Sequence, residues 1–158
     1  MSPEHADRLA ALIRDRRTAA LGTLHGGAPF VSMVPYAVLP DGAAFVVHVS
    51  KLAGHTKDMT ADPRVSLLVT QSEGEGVPAQ ALARVSIQGE AHDMPKGSEA
   101  EQACREAYLA RFPEAAPLTD FADFSFFAIR PSQARFVAGF AQAMSVTSET
   151  LAKILRAT

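Results

Sequence analysis

Hydrophobic and polar positions along this chain follow a helical period near its two ends and strand-like patterns between them. Leu9 and Ile13 share one helical face after a Ser-Pro start, which predicts a helix over residues 3–16. A serine placed to cap a short apolar pattern predicts a second helix over residues 148–155. From about residue 18 to residue 140, the sequence is dominated by runs that are typical of β-strands.

Six runs of apolar or alternating residues predict the strands of this central region. They are TAALGTL (18–24), PFVSMVPYAVL (29–39), AAFVVHV (43–49), VSLLV (65–69), ALARVSIQGEAHDM (81–94) and DFSFFAIRPSQARFV (123–137). Gly26 and Gly27 turn the first run into the second, and Gly89 predicts a bulge or a barrel bend. The pattern therefore indicates one mainly β, α+β domain over residues 1–158, with peripheral helices. Strand count alone does not separate a small barrel from a sandwich.

Composition and charge narrow the class of protein. The chain has 158 residues, 47% hydrophobic and 20% charged, as expected for a globular domain with a real core. A formal net charge of −2 predicts binding neither to nucleic acid nor to an anionic membrane. The single cysteine, Cys104, fits a cytoplasmic location, and no Cys/His spacing predicts a metal site. The charged N-terminus lacks the apolar segment of a signal peptide.

A cluster of polar and basic residues follows the third predicted strand and opens a short helix. Its members are Ser50, Lys51, His55, Thr56 and Lys57. Hydroxyl, imidazole and ammonium groups can donate to a phosphate, and a helix N-terminus favours an anion through its dipole and free N–H groups. The cluster therefore predicts a site for a small phosphorylated ligand.

Three segments together resemble a known family. They are VSMVPYAVLPDGAAFVVHVSKLAGHTKDMTADPRVSLLV (31–69), ARVSIQGEA and FVAGFAQA. In this order they resemble the pyridoxamine 5′-phosphate oxidase-like, FMN-binding split β-barrel proteins, and most of all the haem-utilisation branch of that family. The resemblance covers roughly residues 18–142. It implies a six-stranded split β-barrel that binds FMN at the interface of a homodimer.

The resemblance assigns three groups of residues to the cofactor. Backbone beside the isoalloxazine ring falls at Met33, Val34 and Pro35. The residues around the phosphate and ribityl chain are Ser50, Lys51, His55, Thr56 and Lys57. A polar side chain directed at the flavin corresponds to Arg84. A closing segment near the ring, often supplied by the partner subunit, corresponds to Phe136, Gly139 and Phe140.

Two departures from the family pattern carry expectations of their own. Asp58 stands where the haem-utilisation branch usually has Asn, so it is expected either to orient Lys51 or His55 or to weaken phosphate binding. The sequence stops at Thr158 without the Arg/His-rich motif with which true pyridoxamine-phosphate oxidases hold their substrate. We therefore do not expect that activity.

The resemblance predicts a flavoprotein, most directly an FMN-dependent oxidoreductase acting on a small substrate that the sequence does not identify. No serine lies in a nucleophile-elbow context, so the flavin would carry the chemistry and no catalytic side chain is assigned. Two alternatives stay open. One is a non-catalytic flavin- or haem-binding module used in storage, sensing or haem utilisation. The other is a reductase that uses the deazaflavin F420 on the same fold.

Overall fold

The computed structural model describes residues 1–156, so the last two positions of the predicted domain lie outside the described residues. Within that range the helices are α1 (Pro3–Asp15), α2 (Gly54–Ala61), α3 (Glu99–Arg111) and α4 (Ser148–Arg156). The strands are β1 (Thr18–His25), β2 (Ala28–Pro35), β3 (Ala37–Val38), β4 (Phe45–Ser50), β5 (Arg64–Thr70), β6 (Arg84–Asp93), β7 (Phe124–Val137) and β8 (Ala143–Thr147). Both terminal helices thus match their predicted ranges to within one residue.

The eight strands in residues 1–156 form one antiparallel sheet, in the order β2-β1-β5-β6-β7-β4-β3. The long strand β7 pairs with β6 on one side and with β4 and then β8 on the other. The sheet curls into a half-barrel with helices at its periphery. This architecture confirms the predicted mainly β, α+β fold of the split-barrel type.

One of the two strands beyond the predicted six arises because the run 29–39 is divided at Tyr36. The backbone N–H of Tyr36 donates to the Arg17 carbonyl oxygen over 3.2 Å. Its hydroxyl donates to the Ile13 carbonyl oxygen over 2.7 Å. These bonds hold Tyr36 at the end of α1, so the run leaves the β1 ladder there and continues as β3 beside β4.

The other additional strand follows the predicted end of the barrel near residue 140. The chain turns there, and Ala138 N–H donates to the Gln142 carbonyl oxygen over 2.9 Å. Ala141 adopts a φ of 59° in this turn, a left-handed conformation that non-glycine residues rarely adopt. The chain then returns along β7 as β8, which extends the sheet beyond the predicted barrel.

The bulge predicted at Gly89 is present. The register between β6 and β7 shifts between Gln88 and Gly89, which leaves Ser132 as the extra residue on β7. A Cβ atom on Gly89 would clash with the carbonyl oxygen of Arg130. Glycine is therefore required for the two backbones to approach this closely, and the bulge bends the sheet at that point.

The inner face of the sheet packs against α1, α2 and α4 and forms the main hydrophobic core. Its largest fully buried side chains include Tyr36, Phe45, Phe127, Phe136, Leu21, Leu67, Ile87 and Ile129. This side of the sheet is filled by the protein's own side chains.

The outer face is divided into two halves. Over β3, β4 and the first part of β7, helix α3 buries Val46, Phe126 and Ala128, and we call this the covered half. Over β2, β1, β5 and β6, the outward side chains of Met33 and Leu68 are exposed, and we call this the open half. No helix in residues 1–156 combines the length and apolarity needed to cross a membrane.

Candidate functional site

The polar cluster predicted to bind phosphate lies where β4 leads into α2. Thr56 is buried, and its hydroxyl donates to the Ser50 carbonyl oxygen over 2.6 Å. The hydroxyl oxygen of Ser50 accepts from Leu52 N–H over 3.2 Å. Helix α2 begins after Ala53, which supplies no side-chain cap. Both hydroxyls of the cluster are therefore engaged in the turn, while the helix N-terminus lacks a side-chain acceptor.

The two lysines of the cluster lie on the side of α2 that faces the ends of β6 and β7. Lys51 and Lys57 line a groove of about 460 Å³ together with Asp93, Ser125 and Phe127. Both ammonium groups are available to an anion there, but the Asp93 carboxylate lies in the same groove. The carboxylate would repel a phosphate and compete for the lysines.

His55 lies on the other side of α2, against β2. Its Nδ1 atom is 3.2 Å from Ser32 Oγ. Partial burial lowers the pKa of His55, and the negative charge of Asp58 opposes that shift. The structure thus separates His55 from the two lysines, so the predicted five-residue cluster does not form a single cradle.

Asp58 makes contacts that the sequence did not predict. Its carboxylate is buried, accepts from Thr23 Oγ over 2.8 Å and lies 2.7 Å from His25 Nδ1. The bond to His25 is the main cause that lowers the pKa of Asp58. The expected pairing with Lys51 is wrong, because Lys51 lies in the turn before α2 and does not share its helical face. Asp58 instead joins α2 to β1.

The three β2 residues assigned to the flavin ring are divided between the two faces of the sheet. Met33 is 64% exposed on the outer face, whereas Val34 is buried in the core. Pro35 is half-buried at the end of the strand. A ring placed beside this backbone would therefore meet the outward side chain of Met33 and not that of Val34.

The remaining assigned residues lie at the far end of the sheet. Phe136 is fully buried in the core, while Phe140 is 75% exposed at the tip of the turn after Gly139. Arg84 donates from Nη1 to the Leu82 carbonyl oxygen over 3.0 Å. Contact of these residues with a cofactor stays a prediction, with Phe140 the most accessible side chain of the group.

A larger groove, of about 680 Å³, opens on the open half of the outer face. We call it the outer groove, and its lining residues are 22–24, 29–31, 64–66, 88–90, 92 and 130–132. Gly22 pairs with Val31 and with Ser66, both of which line the groove, so the missing side chain of Gly22 deepens it. The bulge at Gly89 bends the opposite wall. The exposed lining of the groove is mainly apolar.

Charged side chains border this groove in a row across three strands. Arg64, Glu90 and Arg130 are directly opposite one another on β5, β6 and β7. Arg64 is held by Asp62, whose Oδ2 accepts from its Nη2 over 2.6 Å. Arg130 is exposed and makes no ion pair with the described residues. The row thus leaves at least one cation free for an anionic ligand.

Sequence reasoning missed the outer groove. Its members come from five separate segments of the chain. The usable signals were weak: Gly22 inside an apolar strand, and polar residues alternating at Gln88, Glu90 and His92. Only the pairing of β1, β5, β6 and β7 brings these positions together.

Several known proteins are similar to this chain. It is 34% identical to the chloroplastic heme oxygenase HOZ of Arabidopsis thaliana, over 92% of this chain and 46% of that protein. It is 29% identical to heme oxygenase HutZ of Vibrio cholerae, over 87% of this chain and 78% of that protein. A heme-binding protein from Mycobacterium smegmatis superposes with a TM-score of 0.84 at 29% identity, over 97% of this chain and 62% of that chain. The chain thus spans less than half the length of its Arabidopsis relative.

The match to a family covers most of the chain. Residues 6–138 match the pyridoxamine 5′-phosphate oxidase family, which confirms the resemblance found in the three sequence segments. The similarity to heme oxygenases and a heme-binding protein agrees with the haem-utilisation branch that the same segments indicated. The chain belongs to the pyridoxamine 5′-phosphate oxidase family, and its relatives include haem-binding proteins and heme oxygenases.

Proposed function

We propose that this protein binds haem in the outer groove and serves haem utilisation. The observation that carries the proposal is the groove itself, a concavity of about 680 Å³ with a mainly apolar lining and a bordering charged row of Arg64, Glu90 and Arg130. This volume lies within the range of roughly 300–1,000 Å³ found for small-molecule sites. Its position on the open half leaves it accessible from solvent.

The chemistry of the groove fits haem, which is a flat apolar ring system with two carboxylates. Pro29, Phe30 and Val31 on one wall and Pro131 on the other supply apolar contact for the ring. Arg130 lies at the border, directly opposite Glu90 on the neighbouring strand but without an ion pair among the described residues, and it can donate to a haem carboxylate in a charge-assisted bond. Haem iron would supply the redox chemistry when bound.

FMN is supported less well than haem. Its phosphate would need the predicted cluster at α2, yet His55 lies across the helix from Lys51 and Lys57. Asp93 adds a negative charge in the groove that the lysines line. The similarity to heme oxygenases points the same way. Flavin-dependent oxidoreduction is therefore the alternative, and titrations with haemin and FMN distinguish it from haem binding.

We propose further that a second copy of this chain packs on the open half, as the homodimer expected from the resemblance. Met33 and Leu68 lie outside the outer groove and expose apolar side chains, which a partner would bury. Light scattering should report a dimer at micromolar concentration. Met33→Glu together with Leu68→Glu should shift it to a monomer, whereas a monomeric wild-type protein would contradict the dimer.

Turnover of the bound haem is a second candidate, because two relatives are heme oxygenases. An external reductant would have to supply the electrons. Adding ascorbate to the haem-loaded protein in air should then bleach the haem absorbance and release iron to a ferrous chelator. Persistence of the haem absorbance would leave storage or transfer as the function.

The cytoplasm is the proposed location, consistent with a single buried cysteine, Cys104.

Parallel titrations of the purified protein with haemin and with FMN test the proposal. Haemin should bind saturably, one per chain, with a shifted Soret band. FMN should keep its free fluorescence at the same protein concentration. Saturable binding of FMN together with a failure to bind haemin would overturn the proposal and restore the flavoprotein alternative.

A further inference from the structure

We propose that His92 would ligate the iron of haem bound in the outer groove. The inference rests on the proposed function and names the residue that would fix the metal. Haem iron in proteins is held by His, Cys, Met or Tyr side chains. Among the described residues that line the outer groove, His92 is the one of these types.

The position of His92 suits this role. It lies on β6, two residues beyond Glu90, on the same face of the sheet as the charged row. Directly opposite it on β7 is Ala128, so His92 lies at the boundary between the open half and the covered half. The side chain of His92 is 49% exposed, so an iron atom in the groove can reach it without unfolding any element.

The present contact of His92 is weak enough to be exchanged. Its Nε2 atom lies 3.3 Å from Glu90 Oε2, and both side chains are largely exposed. An exposed pair of this kind contributes little to stability. Rotating the ring would free Nε2 for the iron, and Glu90 would remain close enough to accept from the other ring nitrogen, as carboxylates do for ligating histidines.

The other four histidines lie elsewhere in the molecule. His25 is held by buried Asp58, His48 lies under α3 beside Tyr108, and His55 is bonded to Ser32. His5 is at the start of α1, where it contacts Ser2. None of these four lines the outer groove among the described residues. They therefore provide internal controls for the test.

Absorbance and electron paramagnetic resonance spectra of ferric haem bound to the protein test the inference. Wild-type protein should show the spectrum of imidazole-ligated haem. His92→Ala should lose that spectrum and bind haem more weakly, by at least on the order of tenfold. Free imidazole should restore the ligated spectrum. His25→Ala, which changes a more exposed histidine outside the groove, should keep the wild-type spectrum.

The outcomes separate this inference from the proposed function. Failure of the wild-type protein to bind haemin would overturn the function. Haem binding without an imidazole signature, or a His92→Ala spectrum identical to that of the wild type, would overturn the ligand assignment alone. Loss of binding that imidazole does not restore, with circular dichroism unchanged, would also contradict ligation by His92. Loss of the signature in His25→Ala would transfer the assignment to His25.

Discussion

The covered and open halves of the outer face belong to the same sheet yet have different surfaces. In the covered half, Phe126 and Ala128 point outward and α3 buries them with Tyr108. In the open half, outward positions alternate between polar side chains such as Gln88 and exposed apolar ones such as Met33. The covered half thus stabilises the fold, whereas the open half leaves apolar side chains and a groove exposed.

This difference separates the parts of the half-barrel that determine stability from the part that is open to a ligand. The inner face and the covered half are filled by the protein's own side chains, so substitutions there act on stability. The open half contributes less to the core, and the proposed haem site uses the groove at Gly22 and the charged row of Arg64, Glu90 and Arg130. If this division is right, changes in the two halves should have separable consequences for stability and for haem affinity.

The largest effect is expected from Phe126→Ala in the covered half. Phe126 is 2% exposed and contacts the rings of His48 and Tyr108. Truncating a buried Phe should lower the free energy of unfolding by about 3–5 kcal/mol. Urea unfolding measures this change. Haem affinity should be unaffected at temperatures where the variant is folded. A loss of haem affinity in this variant would contradict the claim that the covered half acts on stability alone.

Gly22→Leu should break binding in the open half. Gly22 lies outside the left-handed region, and an added Cβ would be 3.5 Å from the Ser66 carbonyl oxygen, so the strand can accept a side chain. A leucine there would fill the groove and lower haem affinity on the order of a hundredfold, or ~2.7 kcal/mol. Haemin titration measures the loss.

Thr18→Leu is the matched control for Gly22→Leu. Thr18 lies on the same strand, four residues before Gly22, is exposed and pairs with Pro35. It does not line the outer groove. Its affinity should stay close to that of the wild type. Equal losses in the two variants would show that the groove is not the site.

Arg130→Gln should weaken haem binding about tenfold, since a hydrogen bond to a charged group is worth about 1.5–3 kcal/mol and exposure at the border reduces it. The dimethyl ester of haem lacks free carboxylates, so its affinity should not depend on this substitution. Arg135→Gln, on the same face of β7 but outside the groove, is the control. Weaker binding of the dimethyl ester to Arg130→Gln would instead indicate a steric effect of the substitution.

A smaller effect, on stability and not on binding, is expected from His48 in the covered half. Burial lowers the pKa of His48 from 6.5 to about 4, assisted by the positive charges of Arg105 and Lys96, while Glu101 acts in the opposite direction. The unfolded chain therefore takes up this proton first, so stability should fall as the pH drops from 6.5 towards 4. Urea midpoints across that window should be less pH-dependent in His48→Phe. If the urea midpoint of His48→Phe depended on pH as strongly as that of the wild type, His48 would not be the cause of the loss of stability.

The smallest effect is expected from replacing the predicted phosphate residues. The double variant His55→Ala, Lys57→Ala changes α2, which lies away from the outer groove. Haem affinity should stay within about twofold, because distant sites act independently. A loss of FMN affinity without a loss of riboflavin affinity would instead identify α2 as a phosphate site. Equilibrium titrations with the three ligands make this comparison.

Local features were predictable from the sequence because neighbouring residues determine them. Ser2 caps α1 by accepting the backbone N–H of His5, three residues ahead. Gly89 marked the bulge because a strand glycine signals a close backbone approach. The six predicted runs likewise overlap every strand of residues 1–156 except β8, because strand periodicity is local.

The candidate site was not predictable because it depends on contacts between distant segments. Asp58 and His25 are 33 positions apart, and only the packing of α2 on β1 brings them together. The phosphate cluster appeared continuous in sequence, but the turn before α2 placed Lys51 outside the helix and opposite His55. The outer groove needs the full strand order, which periodicity does not provide.

A crystal structure of the haem-loaded protein, with iron located from its anomalous scattering, tests the central claim most directly. The account predicts an iron peak in the outer groove, between Gly22 and Gly89 and within bonding distance of His92. Haem carboxylates should lie near Arg130. An iron peak beside α2, or bound haem that leaves the outer groove empty, would contradict the account.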